Sequence, residues 1–408
     1  MGVIAPLTDD GPDTTTDLNV LALNSGSSSL KFGLYRVGSG QLSARLTGEA
    51  ESIGESKSGF SAQDSKGAVL VSERAAIATQ AEAVGRIAKL LAQSGLPAPD
   101  IIGHRIVHGG PALRRHCLID ASVLRTLGAA AVFAPLHTPP ALAVVRFAQT
   151  HFPGVPQAAC FDTAFHADMP DLARVLPIAR ELTETGIQRY GFHGLSCESI
   201  VRQIEGGPPE RLIIAHLGAG ASVTAVASGK SVDTSMGLTP TGGAMMATRS
   251  GDLDPGVLIF LMREREFDAG LVEDMVDRRS GLLGVSGVSG DMRALHKAAR
   301  SNPAAALAIE MFCASVAKQI AGMMTVLRGA DLLVFTGGIG ENDPATRTAI
   351  CDRLSWLGVR LDAASSEPLS HCRVLVLPCR EDEQIARHAF ALFPRQARRA
   401  DDAVARAR

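Results

Sequence analysis

A repeated hairpin restricts this chain more than any other feature. From Asn19 the segment NVLALNSGSSSLKFGLYRV runs as an apolar strand, a turn of glycine and serine, and a second alternating strand ending at Val37. A comparable unit recurs as RLIIAHLGAGASVTAVASGKSV, again an apolar run, a G-x-G-x-S turn and an alternating strand. The chain therefore reads as two related halves. A third apolar strand, in LLVFTGGIGEN, ends on a glycine-rich turn that leads into a helix expected near Pro344, with Asn342 and Asp343 available as caps. Between these units, 79–93 and 304–327 carry Ala, Leu, Ile and Met at helical spacing. Strands alternating with helices predict α/β layers.

At 408 residues the chain is too long for one compact core, so two domains are expected. The net charge of -2 provides no global field to draw it onto nucleic acid or an anionic membrane. Any anionic ligand must meet local charges. The 7 cysteines show no C-x-x-C pair or zinc-like spacing and read as reduced thiols. Residues 1–18 are acidic and rich in Thr, Asp and Pro, without a basic and then apolar leader, and are expected to be a disordered extension. No uninterrupted apolar segment reaches the roughly 18 to 20 residues that span a bilayer. A cytoplasmic protein is expected, with no membrane and no nucleic-acid partner. The segment QARRADDAVARAR is expected to be a frayed tail.

Taken alone, a Gly/Ser turn is a weak signal, because any tight hairpin needs glycine's positive φ and tolerates serine. Lys31 strengthens the first turn: it lies two residues beyond Ser29 on the same strand face, so hydroxyls, backbone N–H groups and an ammonium converge on an anion. Competing phosphate motifs fail. SGKS at 228–231 lacks the first P-loop glycine, since Thr224 stands there, and neither GAGASV nor GIGEND completes G-x-G-x-x-G. His104 and His108 have i, i+4 spacing, but the Ile-Val centre of GHRIVHGG predicts strand and turn rather than a metal-binding helix. Arg105, in an apolar strand, is costly to bury unless it meets an anion or a structural salt bridge.

These motifs stand in order with others along the chain: NSGSSSLKF, GHRIVHGG, APLHTPP, FDTAFH, RYGFHG, HLGAGAS, GKSVDTSMGLTP, TRSGDLDP, GLLGVSGVSGDMR, FTGGIGEN and a late EDE. In this the sequence closely resembles the acetate kinase family. The resemblance implies the duplicated actin-like (ribonuclease H-like) fold shared with sugar kinases and the Hsp70 ATPase. It implies domains at 19–161 and 162–380, a segment 381–395 returning to the first, and a tail at 396–408. Hinges would fall near residue 161 and before Glu381.

The implied activity is reversible phosphoryl transfer between ATP and acetate, giving acetyl phosphate and ADP, with Mg²⁺ (or Mn²⁺), in a homodimer formed through the second domain. The resemblance places Asn24 and Glu381 at the metal, Lys31 and Ser29 beside the phosphates, and Arg105 and Arg249 at the carboxylate and transferring phosphoryl. Asp162, His137 and His193 complete the centre. His216, Leu217, Gly218, Ala219 and Gly220 would hold ATP, with Gly338, Ile339, Gly340, Glu341 and Asn342. Asp291, Met292 and Arg293 would surround the adenosine. Val107, Leu136, Phe192 and Pro240 would enclose the methyl group.

A carboxylate substrate is already ionised at neutral pH, so Asp162 has no proton to remove and is expected to orient Arg249 or a metal-bound water. The chain departs from the family at Ala219 and Ala221, where HLGNGSS has polar residues, and at Thr138 and the LSC of 195–197. Two lost polar contacts are expected to weaken ATP binding or admit another donor, such as pyrophosphate. A propionate or butyrate kinase and a non-catalytic nucleotide switch on the same fold are the alternatives.

Overall fold

The computed structural model describes residues 17–26, 28–135, 137–360 and 372–393. The expected extension, apart from Asp17 and Leu18, the tail, and Leu136 lie outside the described residues. Leu18 corrects the extension's boundary: it is buried, opens the first strand and pairs with Val37, while Asp17 accepts a 2.6 Å hydrogen bond from Arg36.

The described residues form two sheets. The first half supplies β1 (Leu18–Ser25), β2 (Leu30–Val37), β3 (Leu42–Glu51), β4 (Gly59–Asp64), β5 (Val69–Arg74), β6 (Ile101–Ile106), β7 (Cys117–Leu118) and β8 (Gln157–Phe161). They lie in the order β5-β4-β3-β2-β1-β6-β8-β7. The second half supplies β9 (Arg211–Leu217), β10 (Ala221–Ala227), β11 (Lys230–Thr234), β12 (Leu332–Thr336) and β13 (Arg373–Val376), in the order β11-β10-β9-β12-β13. Each sheet contains the same unit. Three strands run as an antiparallel meander, and two further strands add in parallel beside the first, through β6 and β8 in one half and β12 and β13 in the other. The duplicated actin-like topology is thus present in the strand order itself.

Parallel neighbours require crossover connections, here made by the helices Gln80–Gln93, Thr138–His151, Pro303–Leu327 and Pro344–Arg353. The crossovers cover sheet faces, which is why β1 and β12 are buried on both faces and carry continuous apolar runs, at 20–23 and 332–335, rather than alternating. Leu21 and Leu23 of β1 face one cluster, with Phe32, Ile87 and Val144. Val20 and Ala22 face the other, with Leu195, Ile385 and Ala389. The last helix, Glu381–Leu392, supplies part of that second layer and packs on β1, β2, β6 and β8, so the end of the described chain returns to the first sheet.

The 25-residue helix Pro303–Leu327 starts at an Asn302 cap that accepts from Ala304 and Ala305 N–H. By length and composition it could cross a membrane, but in the fold it is a core helix. Ala305, Ala308, Phe312, Val316 and Ile320 recur at three- and four-residue steps and pack with Ile213, Val223 and Phe335 of the second sheet, while Glu310 and Lys318 stay exposed. Truncating Phe312 to alanine would cost about 3–5 kcal/mol.

The GGIGEN segment corrects the sequence expectation. It is not an open turn but the short helix Gly337–Asn342, and Asp343 then caps Pro344–Arg353 by accepting from Thr346 N–H. Gly337 makes the sharp entry at φ +79°.

Candidate active site

A cleft of about 590 Å³ lies between the two halves, where the ends of β1, β6, β8 and β9 face the last helix. On its floor, Asn24 is paired across the first hairpin with Lys31. The Asn24 amide donates to Glu381 Oε2 at 3.0 Å and to Asp382 Oδ1 at 2.8 Å, while its oxygen accepts from Arg105 Nη1 at 3.4 Å. Three carboxylates, Glu381, Asp382 and Glu383, occupy the first turn of the last helix, where the helix dipole favours negative charge. Burial raises the Glu381 carboxyl, but Arg105, His216 and Asn24 together hold it below the ordinary value. Burial pushes Asp382 up to about 6. An amide oxygen and carboxylates form a hard oxygen set that fits a magnesium-class cation, which usually takes one or two carboxylates and keeps water and phosphate oxygens.

Arg105 stands near the end of β6, and Asp162 follows β8 directly. Parallel pairing continues past the strand, as Asp162 N–H donates to Ile106 C=O at 3.0 Å, which brings the two side chains together. Arg105 donates to Asp162 Oδ2 through Nε at 2.9 Å and Nη2 at 2.6 Å. Oδ1 of Asp162 is buried with no protein partner. Burial pushes this carboxyl up to about 6 against the pull of Arg105. The expectation that Asp162 orients Arg249 is therefore corrected. Arg249 instead donates to Pro240 C=O at 3.3 Å and to His137 Nε2 at 3.1 Å. Burial and the two arginines lower His137 to about 4, so it is a neutral acceptor at pH 7.

His193 adopts left-handed backbone angles, φ +58° and ψ +27°, at the start of the helix Gly194–Gln203. The next residue must be glycine, because a Cβ at Gly194 would lie 2.2 Å from Asp162 C=O, which Gly194 N–H reaches at 2.8 Å. His193 Nδ1 meets Ser222 Oγ at 2.9 Å, and its ring stacks on His216 at 4.1 Å. Burial holds its pKa well below the usual value, so it acts as a neutral hydrogen-bonding group.

The cleft gathers Asn24, Ser29, Lys31, Arg105, Val107, His137, Asp162, Phe192, His193, His216, Ala219, Gly220, Pro240, Arg249, Gly338, Glu341, Asn342 and Glu381 of the predicted residues. Others do not line it. Leu217 and Met292 are core residues, Gly218 shapes the turn by donating to Gly220 C=O at 2.8 Å, and Ile339 and Gly340 lie within the short helix, Ile339 packed against the second core and Gly340 buried. Asp291 and Arg293 pair with each other at 3.0 Å at the start of the helix Met292–Ala298, away from the cleft lining. Ala221 is fully buried in the second core, so of the two alanine departures only Ala219 reaches the cleft. His104 is buried against Gln157 and His108 among Phe133, Tyr190 and Phe192, so neither serves a metal.

The sequence missed Gly26, Ser28, Gly337 and Cys379 as lining residues. Ser28 was legible in the SGSSS turn, and Cys379 lies two residues before Glu381. The supporting role of Ser222 carried no local signal. Glu341, which lines the cleft, also supports it: its Oε1 accepts from both Gly337 N–H and Cys379 N–H at 2.9 Å, so it holds the walls together.

The Acetokinase family model matches residues 19–387. The acetate kinase of Methylocella silvestris is 39% identical over 402 residues, spanning 93% of this chain and 98% of that one. That of Thermosynechococcus vestitus is 45% identical over 303 residues, 70% of this chain and 73% of that one. Among solved structures, a propionate kinase from Francisella tularensis superposes with a TM-score of 0.84 at 36% identity, over 92% of this chain and 100% of its own. Porphyromonas gingivalis acetate kinase gives 0.79 at 33% identity, over 92% and 100%. With strand order, cleft and these relatives in agreement, the chain belongs to the acetokinase family.

Proposed function

We propose that this protein transfers the terminal phosphoryl group of ATP reversibly to acetate, giving acetyl phosphate and ADP, with Mg²⁺ as the metal. The observation that carries this reading is the convergence of Arg105 and Arg249 on one cleft that also holds the Val107, Phe192 and Pro240 wall. Such a cleft suits a small anion with an apolar end. Phosphoryl transfer needs alignment and charge stabilisation rather than covalent help, so the two guanidiniums serve the equatorial oxygens and the neutral His193 adds a hydrogen bond. Asp162 fixes the aim of Arg105 and takes no proton from an already ionised carboxylate. Asn24 and Glu381, with Asp382 beside them, would hold magnesium, which neutralises phosphate charge when bound. Lys31, Ser29 and the Ala219–Gly220 and Gly338 backbones would receive the nucleotide phosphates.

The halves 19–161 and 162–380 would act as domains closing about hinges at 161 and before Glu381, since Asp162 and Glu381 mark the two places where the chain crosses the cleft. A homodimer through the second half is supported by the helix Pro255–Glu264. It has no buried residue and exposes Val257, Ile259, Phe260 and Met262.

Propionate is the second reading, favoured by the similarity to a structure named as a propionate kinase. One extra methylene is discriminated by only about 1–3 kcal/mol, so propionate should turn over more slowly than acetate and butyrate more slowly still. Trapping acyl phosphate with hydroxylamine, across acetate, propionate and butyrate and with ATP, GTP or pyrophosphate as donor, tests both readings. No hydroxamate from any pair would exclude a carboxylate kinase.

A further inference from the structure

Two groups of metal-ligating side chains occur among the described residues: His116 with Glu198 and His388, and His216 with Cys379 and Glu381. Hydrogen bonding closes the first to a cation. His116 Nδ1 accepts the Phe161 N–H at 3.0 Å, so in the neutral ring Nε2 carries the hydrogen and faces Glu198, 3.8 Å away. A metal at Nε2 would have to expel that hydrogen and break the backbone bond at Nδ1. The group is a hydrogen-bonded junction between the first sheet, the helix Gly194–Gln203 and the last helix.

The second group has a different construction. One sulfur, one imidazole nitrogen and one carboxylate oxygen lie within 4.8 Å of one another. They come from two separate stretches of chain, His216 from β9 and the other two from the approach to the last helix. A single hydroxyl, Ser196 Oγ, lies 2.8 Å from His216 Nδ1 and 3.3 Å from Cys379 Sγ, and so orients both softer ligands. The backbone that carries Cys379 is held by Glu341, and Glu381 is held by Asn24. Magnesium has little use for sulfur or imidazole, whereas zinc and cadmium favour them.

We propose that Cys379, His216 and Glu381 form a site for a divalent cation of the zinc class, sharing only Glu381 with the oxygen set assigned to magnesium. Three protein ligands leave a fourth tetrahedral position open to water or a phosphate oxygen. Binding forms a metal–sulfur bond and releases the thiol proton to solvent. Occupancy places a fixed cation where the magnesium nucleotide would sit, so zinc inhibits rather than activates. The site rests on three side chains and their supports, and stands or falls apart from the kinase reading.

Cadmium titration of the full chain, followed by thiolate-to-cadmium ultraviolet absorption, tests it directly. The expected result is one tight equivalent per chain, with the band lost in Cys379→Ser and affinity weakened about tenfold or more in His216→Ala. Circular dichroism checks that each variant folds. In the unaltered protein, one equivalent of Cd²⁺ should also protect Cys379 from alkylation by iodoacetamide, read peptide by peptide by mass spectrometry. This keeps the test decisive if a variant misfolds. An identical band in Cys379→Ser, or alkylation of Cys379 unchanged by cadmium, overturns the proposal. Hydroxamate formation with Mg²⁺ and ATP reads the kinase activity separately, so either can fail without the other.

Discussion

Replacing Asp162 by asparagine keeps the shape of the Arg105 contact and removes its charge. The amide oxygen can take the place of Oδ2 and accept from Nε and Nη2, while the amide nitrogen takes the unpartnered Oδ1 position. Two opposing effects then act on stability. Leaving Arg105 without its counter-ion in a buried setting costs about 3–5 kcal/mol. Against this, the fold raises Asp162 from 3.8 to about 6. The folded state thus binds the proton more tightly than the unfolded chain, a contribution present below pH 3.8 and lost as pH rises through 6. Ionised Asp162 therefore costs about 3 kcal/mol at pH 7, which a neutral asparagine avoids. The cost of breaking a buried pair already includes that relief, so Asp162→Asn should fold with a loss of about 3–5 kcal/mol by urea denaturation.

Turnover should not be spared. A guanidinium that loses its charged anchor is less well aimed at the transferring group, and kcat should fall by about 10² to 10³, or roughly 3–4 kcal/mol of barrier. The uncompensated cation still attracts acetate, so KM for acetate should not rise. In the unaltered enzyme, kcat/KM should decline as pH falls through about 6, where Asp162 takes up a proton. That limb should be shallower in the variant, where only Asp382, also raised to about 6, still takes up a proton there. The assay is hydroxamate formation from pH 5.5 to 9. Recovery of the variant's rate as pH rises would show hydroxide replacing a base, and would refute the positioning role.

Ala219→Asn should lower KM for ATP by about tenfold, worth ~1.4 kcal/mol, by adding a cleft donor. Ala221→Ser should instead leave KM unchanged and lose about 1–3 kcal/mol of stability in urea, because its hydroxyl would enter the core. At Glu198, burial raises the carboxyl, but His116 and His388 bring it down to about 2 from 4.5. This stabilisation is present above pH 4.5 and lost as pH falls through 2, so Glu198→Gln should cost about 3 kcal/mol at pH 7 and flatten acid unfolding in that window. Equal unfolding midpoints for the two proteins at pH 7 would contradict it. Phe260→Asp should convert a dimer to monomer in light scattering, and a dimer that persists would place the interface elsewhere.

The sequence alone determined much of this protein, because local pattern carries local structure. Apolar runs meeting at Gly/Ser turns specify the two hairpins, helical spacing specifies the crossovers, and the order of motifs specifies the family. Most of the site was also legible, since Asn24, Lys31, Arg105, Asp162 and Glu381 sit at strand ends and a helix start, where the fold must bring them to the cleft. Tertiary structure decided the partners. Asp162 pairs with Arg105 rather than Arg249 because parallel pairing of β6 and β8 sets their ends side by side. Ala219 reaches the cleft and Ala221 the core because Ala219 lies in the turn, outside the strand's alternation, whereas Ala221 opens β10 on the face that Val223 and Ala225 also turn to the core. Cys379 joins His216 only when the last helix returns to the first sheet, so residues 163 positions apart come within ligand distance. No local pattern encodes such a distance; it follows from how the two halves pack.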